Sequence, residues 1–188
     1  NCSSLTAFSL PSSYTEIPDN LFKGCSGLTT ISIPDNVHHI GSGAFQNCAN
    51  LSKVTLPRTL ESIGDSAFAG CSRLMTVSLP PDLKSIGDSA FVGCQTLTEF
   101  ALPESLEHIG SRAFQGFSFR ASLKLPGSLQ TIGEGAFANC ATLTSVTFGP
   151  NVQRVEAQAF ENCAKLNTVN LAGRDLFVDG SAFQGCGA

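Results

Sequence analysis

Charge is scarce in this sequence. Asp, Glu, Lys and Arg make up 14% of its 188 residues, and no run of one sign forms anywhere. The net charge of −4 is spread over single residues, which leaves no electrostatic footprint for nucleic acid or an anionic lipid surface. No apolar run approaches the roughly 18 residues a membrane-crossing helix needs, so no direct membrane span is expected. The N-terminus lacks the charged-then-apolar layout of a signal peptide. Methionine occurs once, at Met75, so the chain has no initiator and reads as a processed product or part of a longer protein. Phosphate-cradling glycine motifs, zinc-type cysteine spacings and paired carboxylates are also missing. What is present is 42% hydrophobic residues, enough for an ordered core, and a strong internal repetition.

The phrase Ile63–Cys71 (IGDSAFAGC) returns at Ile86–Cys94 with one change, displaced by 23 residues. All eight cysteines, Cys2, Cys25, Cys48, Cys71, Cys94, Cys140, Cys163 and Cys186, stand on that 23-residue lattice, and its one vacancy holds Phe117. A position that accepts Cys or Phe is a buried apolar one, where Cys acts as a small hydrophobe. Solenoid coils stack about 4.8 Å apart at their strands. Parallel side chains at that spacing hold their Cβ atoms farther apart than the ~3.8 Å a disulfide prefers, so eight free thiols are expected.

Each lattice position is preceded by Gly or Asn, the residues that best tolerate a left-handed helix end. A Phe row (Phe22, Phe45, Phe68, Phe91, Phe114, Phe137, Phe160, Phe183) lies just upstream, and Ser42, Asp65, Asp88 and Ser111 stand where helix caps belong. These signals predict one short helical turn per coil. Downstream, L-x-x-V-x-L alternates like a strand with one buried face, as in Leu51, Val54 and Leu56, and Pro57 or its equivalent stops it. Pairs such as Leu60 and Ile63 form a second inward pair and a possible second short strand.

The combined pattern I-G-x-x-A-F-x-x-C-x-x-L-x-x-V-x-L-P-x-x-L resembles the BspA-like leucine-rich repeat, also called the Treponema pallidum-type repeat, over essentially the whole chain. The resemblance implies an α/β repeat solenoid with a parallel β-sheet on one face and short helical turns on the other. It also implies a binding role, since many members are surface proteins and several are adhesins for host or matrix proteins. The lattice predicts one right-handed solenoid domain over residues 1–188, with about eight 23-residue coils. Both ends stop at inward-facing rows without a polar cap, so a longer parent chain or a partner over one end is expected.

No convergent catalytic cluster emerges. His39 and His108 share a row but lie three coils apart, too far to share a metal, and buried thiols are poor nucleophiles. The expected function is therefore non-enzymatic and cofactor-free: an adhesin-like module, secreted or at the cell surface, that binds a protein partner. The alternative is a structural subunit that braces a larger assembly. Candidate binding residues flank the inward strand positions: Lys53, Thr55, Thr76, Ser78, Glu99, Ser122 and Lys124. A broad recognition face and a Ser/Thr ladder that merely suits strands both fit these rows. In GFSFRASLKLP, Phe119 and Arg120 depart from the repeat. They read either as a local slip that turns Phe119 inward or as an exposed aromatic–arginine pair of the kind that dominates interfaces. Sequons at Asn1-Cys2-Ser3 and Asn50-Leu51-Ser52 would carry glycans only on a secretory route.

Overall fold

A computed structural model describes residues 2–97, 101–119, 121–172 and 176–187. The 23-residue period becomes the pitch of a parallel β-solenoid, because every strand pair is in register with a partner 23 positions away. One sheet has eight strands: β1 (Glu16–Ile17), β3 (His39–Ile40), β5 (Ser62–Ile63), β6 (Ser85–Ile86), β7 (His108–Ile109), β9 (Thr131–Ile132), β11 (Arg154–Val155) and β13 (Phe177–Val178). It grows from the row expected to supply only a possible second strand. Every inward residue there is β-branched (Ile17, Ile40, Ile63, Ile86, Ile109, Ile132, Val155, Val178), which suits a pleated, half-buried surface at each step.

The L-x-x-V-x-L row, expected to make the main sheet, is discontinuous among the described residues. It forms a pair, β2 (Thr30–Ser32) with β4 (Lys53–Thr55), and a three-stranded sheet of β8 (Ser122–Lys124), β10 (Ser145–Thr147) and β12 (Thr168–Asn170). Between them a single bridge joins Lys53 to Thr76 among the described residues. The eight strands of the long sheet enclose about seven turns, not eight coils, because the repeated rows mark the posts and the turns are the intervals between them.

The expected helical turns are absent among the described residues, and the backbone explains why. Seven coils bend twice into the left-handed region four residues apart, as at Ser66 (φ 54°) then Gly70 (74°), and Gln158 (58°) then Asn162 (56°). The second site is the Gly/Asn row; the first also holds Ser89 and Arg112, which no helix-ending rule points to. Two such bends leave no room for consecutive helical residues. The segment becomes three tight turns, with Ala67 N–H donating to Gly64 O, Ala69 to Ser66 O and Cys71 to Phe68 O. The alternate amides reach the next coil, Ser66 to Asp88 O, Phe68 to Ala90 O and Gly70 to Val92 O. The supposed caps serve that inter-coil ladder as well: Asp65 Oδ1 accepts Asp88 N–H at 2.8 Å, and Asp88 Oδ1 accepts Ser111 N–H at 2.7 Å.

The core follows the lattice. Eight phenylalanines from Phe22 to Phe183 stack at centroid separations of 5.1 to 5.5 Å with rings within 13° of parallel. Offset stacking adds to the area each ring buries. The Cys row runs alongside as free thiols, and each of six donates to a phenylalanine carbonyl of the preceding coil, for example Cys48 to Phe22 O at 3.0 Å and Cys163 to Phe137 O at 3.2 Å. The row is not wholly interior: Cys2 is exposed and Cys186 half-buried, in the first and last described coils. No polar or charged residue is buried among the described residues.

Candidate functional site

The exposed candidates stand where the pleat puts them. Lys53 and Thr55 flank inward Val54, Thr76 and Ser78 flank Val77, and Ser122 and Lys124 flank Leu123; all six flanking side chains are exposed. Thr30, Ser32, Thr147, Thr168 and Asn170 continue the same outer face. Its described strands fall in two groups, β2 and β4 extended to Thr76, and β8, β10 and β12. Glu99 and Arg120 lie outside the described residues.

Phe119 is not a surface anchor. It is buried, 5% exposed, with its ring 4.8 Å from Phe117, 5.7 Å from Phe137 and 6.2 Å from Phe114. Phe117 replaces a thiol and Arg120 a core leucine, so Phe119, two positions beyond Phe117, turns in to fill the apolar volume. The departure from the repeat builds an aromatic cluster inside the solenoid, and Phe119 leaves the candidate site.

A row of small polar side chains is not among the positions the sequence singles out. Asn36, Thr59, Ser105, Ser128 and Asn151 recur at the lattice spacing or its double, and each donates to a backbone carbonyl one coil back: Thr59 to Val37 O at 3.0 Å, Ser105 to Leu83 O at 2.7 Å, Asn151 to Gly127 O at 2.8 Å. These hydroxyls and amides tie neighbouring turns together. Their shared size and 23-residue recurrence were the available signal.

Burial pushes the Cys48 thiol up to about 11 and the Cys94 thiol up to about 12, and it raises Cys71 further. Cys140 is raised by its hydrogen bond with Cys163 and by burial. Such thiols are not thiolate nucleophiles near neutral pH. The histidines bond singly to the next coil, His39 Nδ1 to Ser62 Oγ at 2.8 Å and His108 Nδ1 to Thr131 Oγ1 at 2.9 Å. No group of three or more His, Cys, Asp or Glu able to hold a metal is found among the described residues, and no helix among them is long and apolar enough to cross a membrane.

Six copies of the BspA type leucine-rich repeat region match the chain, over residues 1–119 and 74–188. The chain belongs to the BspA-type leucine-rich-repeat family. Among solved structures, it is similar to the leucine-rich repeat protein of Treponema pallidum, with 32% identity and a TM-score of 0.75 over 86% of this chain and 78% of that one. A leucine-rich repeat protein of Bacteroides ovatus shares 26% identity at a TM-score of 0.67, over 86% of this chain and 53% of that one. One from Eubacterium ventriosum, at 20% identity and a TM-score of 0.65, supports the fold alone; this chain spans 65% of its length. No curated protein matches the chain. BspA-type repeat proteins are typically protein-binding and generally non-enzymatic.

Proposed function

We propose that this chain is a non-enzymatic recognition module, secreted or displayed at the cell surface in the manner of an adhesin, that binds protein partners through the outer face of its discontinuous strand ladder. The observation that carries this reading is the exposed set Lys53, Thr55, Thr76, Ser78, Ser122 and Lys124, presented on strands whose inward side is fixed in one continuous core. A rigid scaffold with adaptable hydroxyls and a few cations presents a broad surface at little ordering cost.

Thr76→Tyr and Ser122→Tyr test it by putting bulk on the face without touching the core. Cross-linking capture from the native source, read by mass spectrometry, should show partners linked near Lys53 or Lys124 on the native chain and lost from the double variant. Retention of the same partners by a folded double variant overturns the assignment. A second reading, a bracing subunit of a larger assembly, is favoured by one observation: Leu171 (54% exposed), Phe177 (49%) and Val169 (38%) present apolar surface on the last coil. Stoichiometric links there, surviving washing, would decide for it.

A further inference from the structure

Scattered apolar side chains are ordinary on a protein surface, so place decides which of them carries meaning. Among the described residues, Phe8 and Leu21 are exposed in the first coil, and Val169, Leu171 and Phe177 in the last. Met75, 57% exposed and the most open large apolar side chain of this set, is the one that stands in the coils between. It is also the sole methionine of the sequence.

The fold does not call for a methionine there. Thr6, Thr29, Ser52, Ala121, Thr144 and Asn167 hold the same place in other coils. Hydroxyls in this row tie coils together: Ser52 Oγ donates to Thr29 O at 3.1 Å and Thr144 Oγ1 to Ala121 O at 2.5 Å. Met75 keeps the backbone half of that link, its N–H donating to Ser52 O at 3.2 Å, and forgoes the side-chain half. A position that elsewhere holds a bonded hydroxyl thus turns a flexible, polarizable thioether toward solvent.

The surroundings suit an interface anchor. Met75 directly precedes Thr76, which bridges to Lys53, and exposed Lys53, Thr76 and Ser78 give it a polar border. Binding energy concentrates in a few side chains that near-neutral neighbours shield from water. Methionine is enriched in interfaces, and its unbranched chain adapts to the partner it meets.

We infer that Met75 is the apolar anchor of the strand face and that the partner meets it with an aromatic side chain, against whose ring a thioether sulfur packs favourably. This rests on the reading of that face as the recognition surface and adds the residue and the partner group that dominate it.

The test exploits the single methionine, because photo-methionine incorporated into this sequence places its diazirine at position 75. Capture from the native source, read by mass spectrometry, should link position 75 to one protein at, or next to, a Phe, Tyr or Trp. Met75→Ser, which supplies the hydroxyl typical of the row, should lower capture of that protein about tenfold, and Met75→Leu, which keeps the apolar bulk, less than about threefold. Neither variant touches the core, so both should keep the native urea midpoint. Undiminished capture by Met75→Ser overturns the inference. So does an equal loss in the Ser and Leu variants, a link confined to segments without an aromatic residue, or no link from position 75. The two readings separate when Thr76→Tyr/Ser122→Tyr is run beside them. If that pair abolishes capture and Met75→Ser does not, the face stands and the anchor falls. If neither changes capture, both fall.

Discussion

The ladder that begins at Ile17 and the ladder that begins at Ile31 are built by the same coils. Among the described residues the first runs through eight strands, while the second forms one pair and a separate set of three. The inward row of the first is β-branched at every step; among the described residues that of the second holds Ile31, Val54, Val77, Leu123 and Val146. A further difference lies two residues on. Ile33, Leu125 and Phe148 are buried and donate N–H bonds to Thr55 O, Thr147 O and Asn170 O of the next coil, whereas Leu56, Leu79 and Leu102 are only half-buried and make no such bond among the described residues. The discontinuous side carries the proposed recognition face, and the continuous side holds it in place.

The largest expected effect breaks what the two ladders share. Phe91 is fully buried and stacks on Phe68 and Phe114, so Phe91→Ala should cost about 3–5 kcal/mol, measured as a fall in the urea midpoint at unchanged slope. A loss under about 1 kcal/mol would mean the ring column is not the core's main support.

Glycine substitutions divide the coil more finely. Gly87 follows β6, and a Cβ there would stand 2.4 Å from Asp65 Oδ1 and 2.6 Å from Asp65 N, so Gly87→Ala should cost about 1–3 kcal/mol by overpacking the continuous side. Gly116 has φ 74° with nothing within 4 Å of the added carbon, so Gly116→Ala should cost only the left-handed strain of about 1 kcal/mol. Thermal unfolding of the two variants side by side checks the order.

Thiol labelling compares local opening on the two sides. With DTNB, exposed Cys2 should react at once and half-buried Cys186 slowly, with all eight reacting in denaturant. If the lapse in the second ladder is a weak point, Cys71 and Cys94 beside it should react ahead of Cys140 and Cys163. Simultaneous reaction of the buried thiols would show that the ladders open as one unit.

The smallest effect is electrostatic. Glu104 lies beside the discontinuous side and is held below the usual carboxylate range by the Gly127 N–H it accepts and by Lys124. A depressed folded-state value contributes stability above the unfolded value, near 4.5, that is lost as pH falls through the folded one. Glu104→Gln should therefore flatten that part of the acid limb of the stability–pH curve and leave pH 7 to 8 nearly unchanged.

Much of the fold is legible in the sequence because a solenoid's core is a set of rows, and rows recur. The 23-residue lattice alone marks the Phe, Cys, Leu and Ile positions as inward, and it marks Lys53, Thr55, Thr76, Ser78, Ser122 and Lys124 as outward. The lattice also suggests helical turns that do not form. Gly70 and its equivalents advertise one left-handed bend; the other is signalled only by Asn20, Gly43 and Gly135, while Ser66, Ser89, Arg112 and Gln158 fill it elsewhere, and nothing in a Ser or Arg announces a positive φ. The direction of Phe119 is open in the sequence because it depends on how much space Phe117 and the absent leucine leave.

The sequence by itself determined the period, the identity of the core rows and the family, since a residue repeated every 23 positions must meet its own kind in the next coil. Only the tertiary structure decided which ladder is continuous and where the coil bends. Those outcomes turn on packing and hydrogen bonding between neighbouring coils, which a pattern of single residues does not contain.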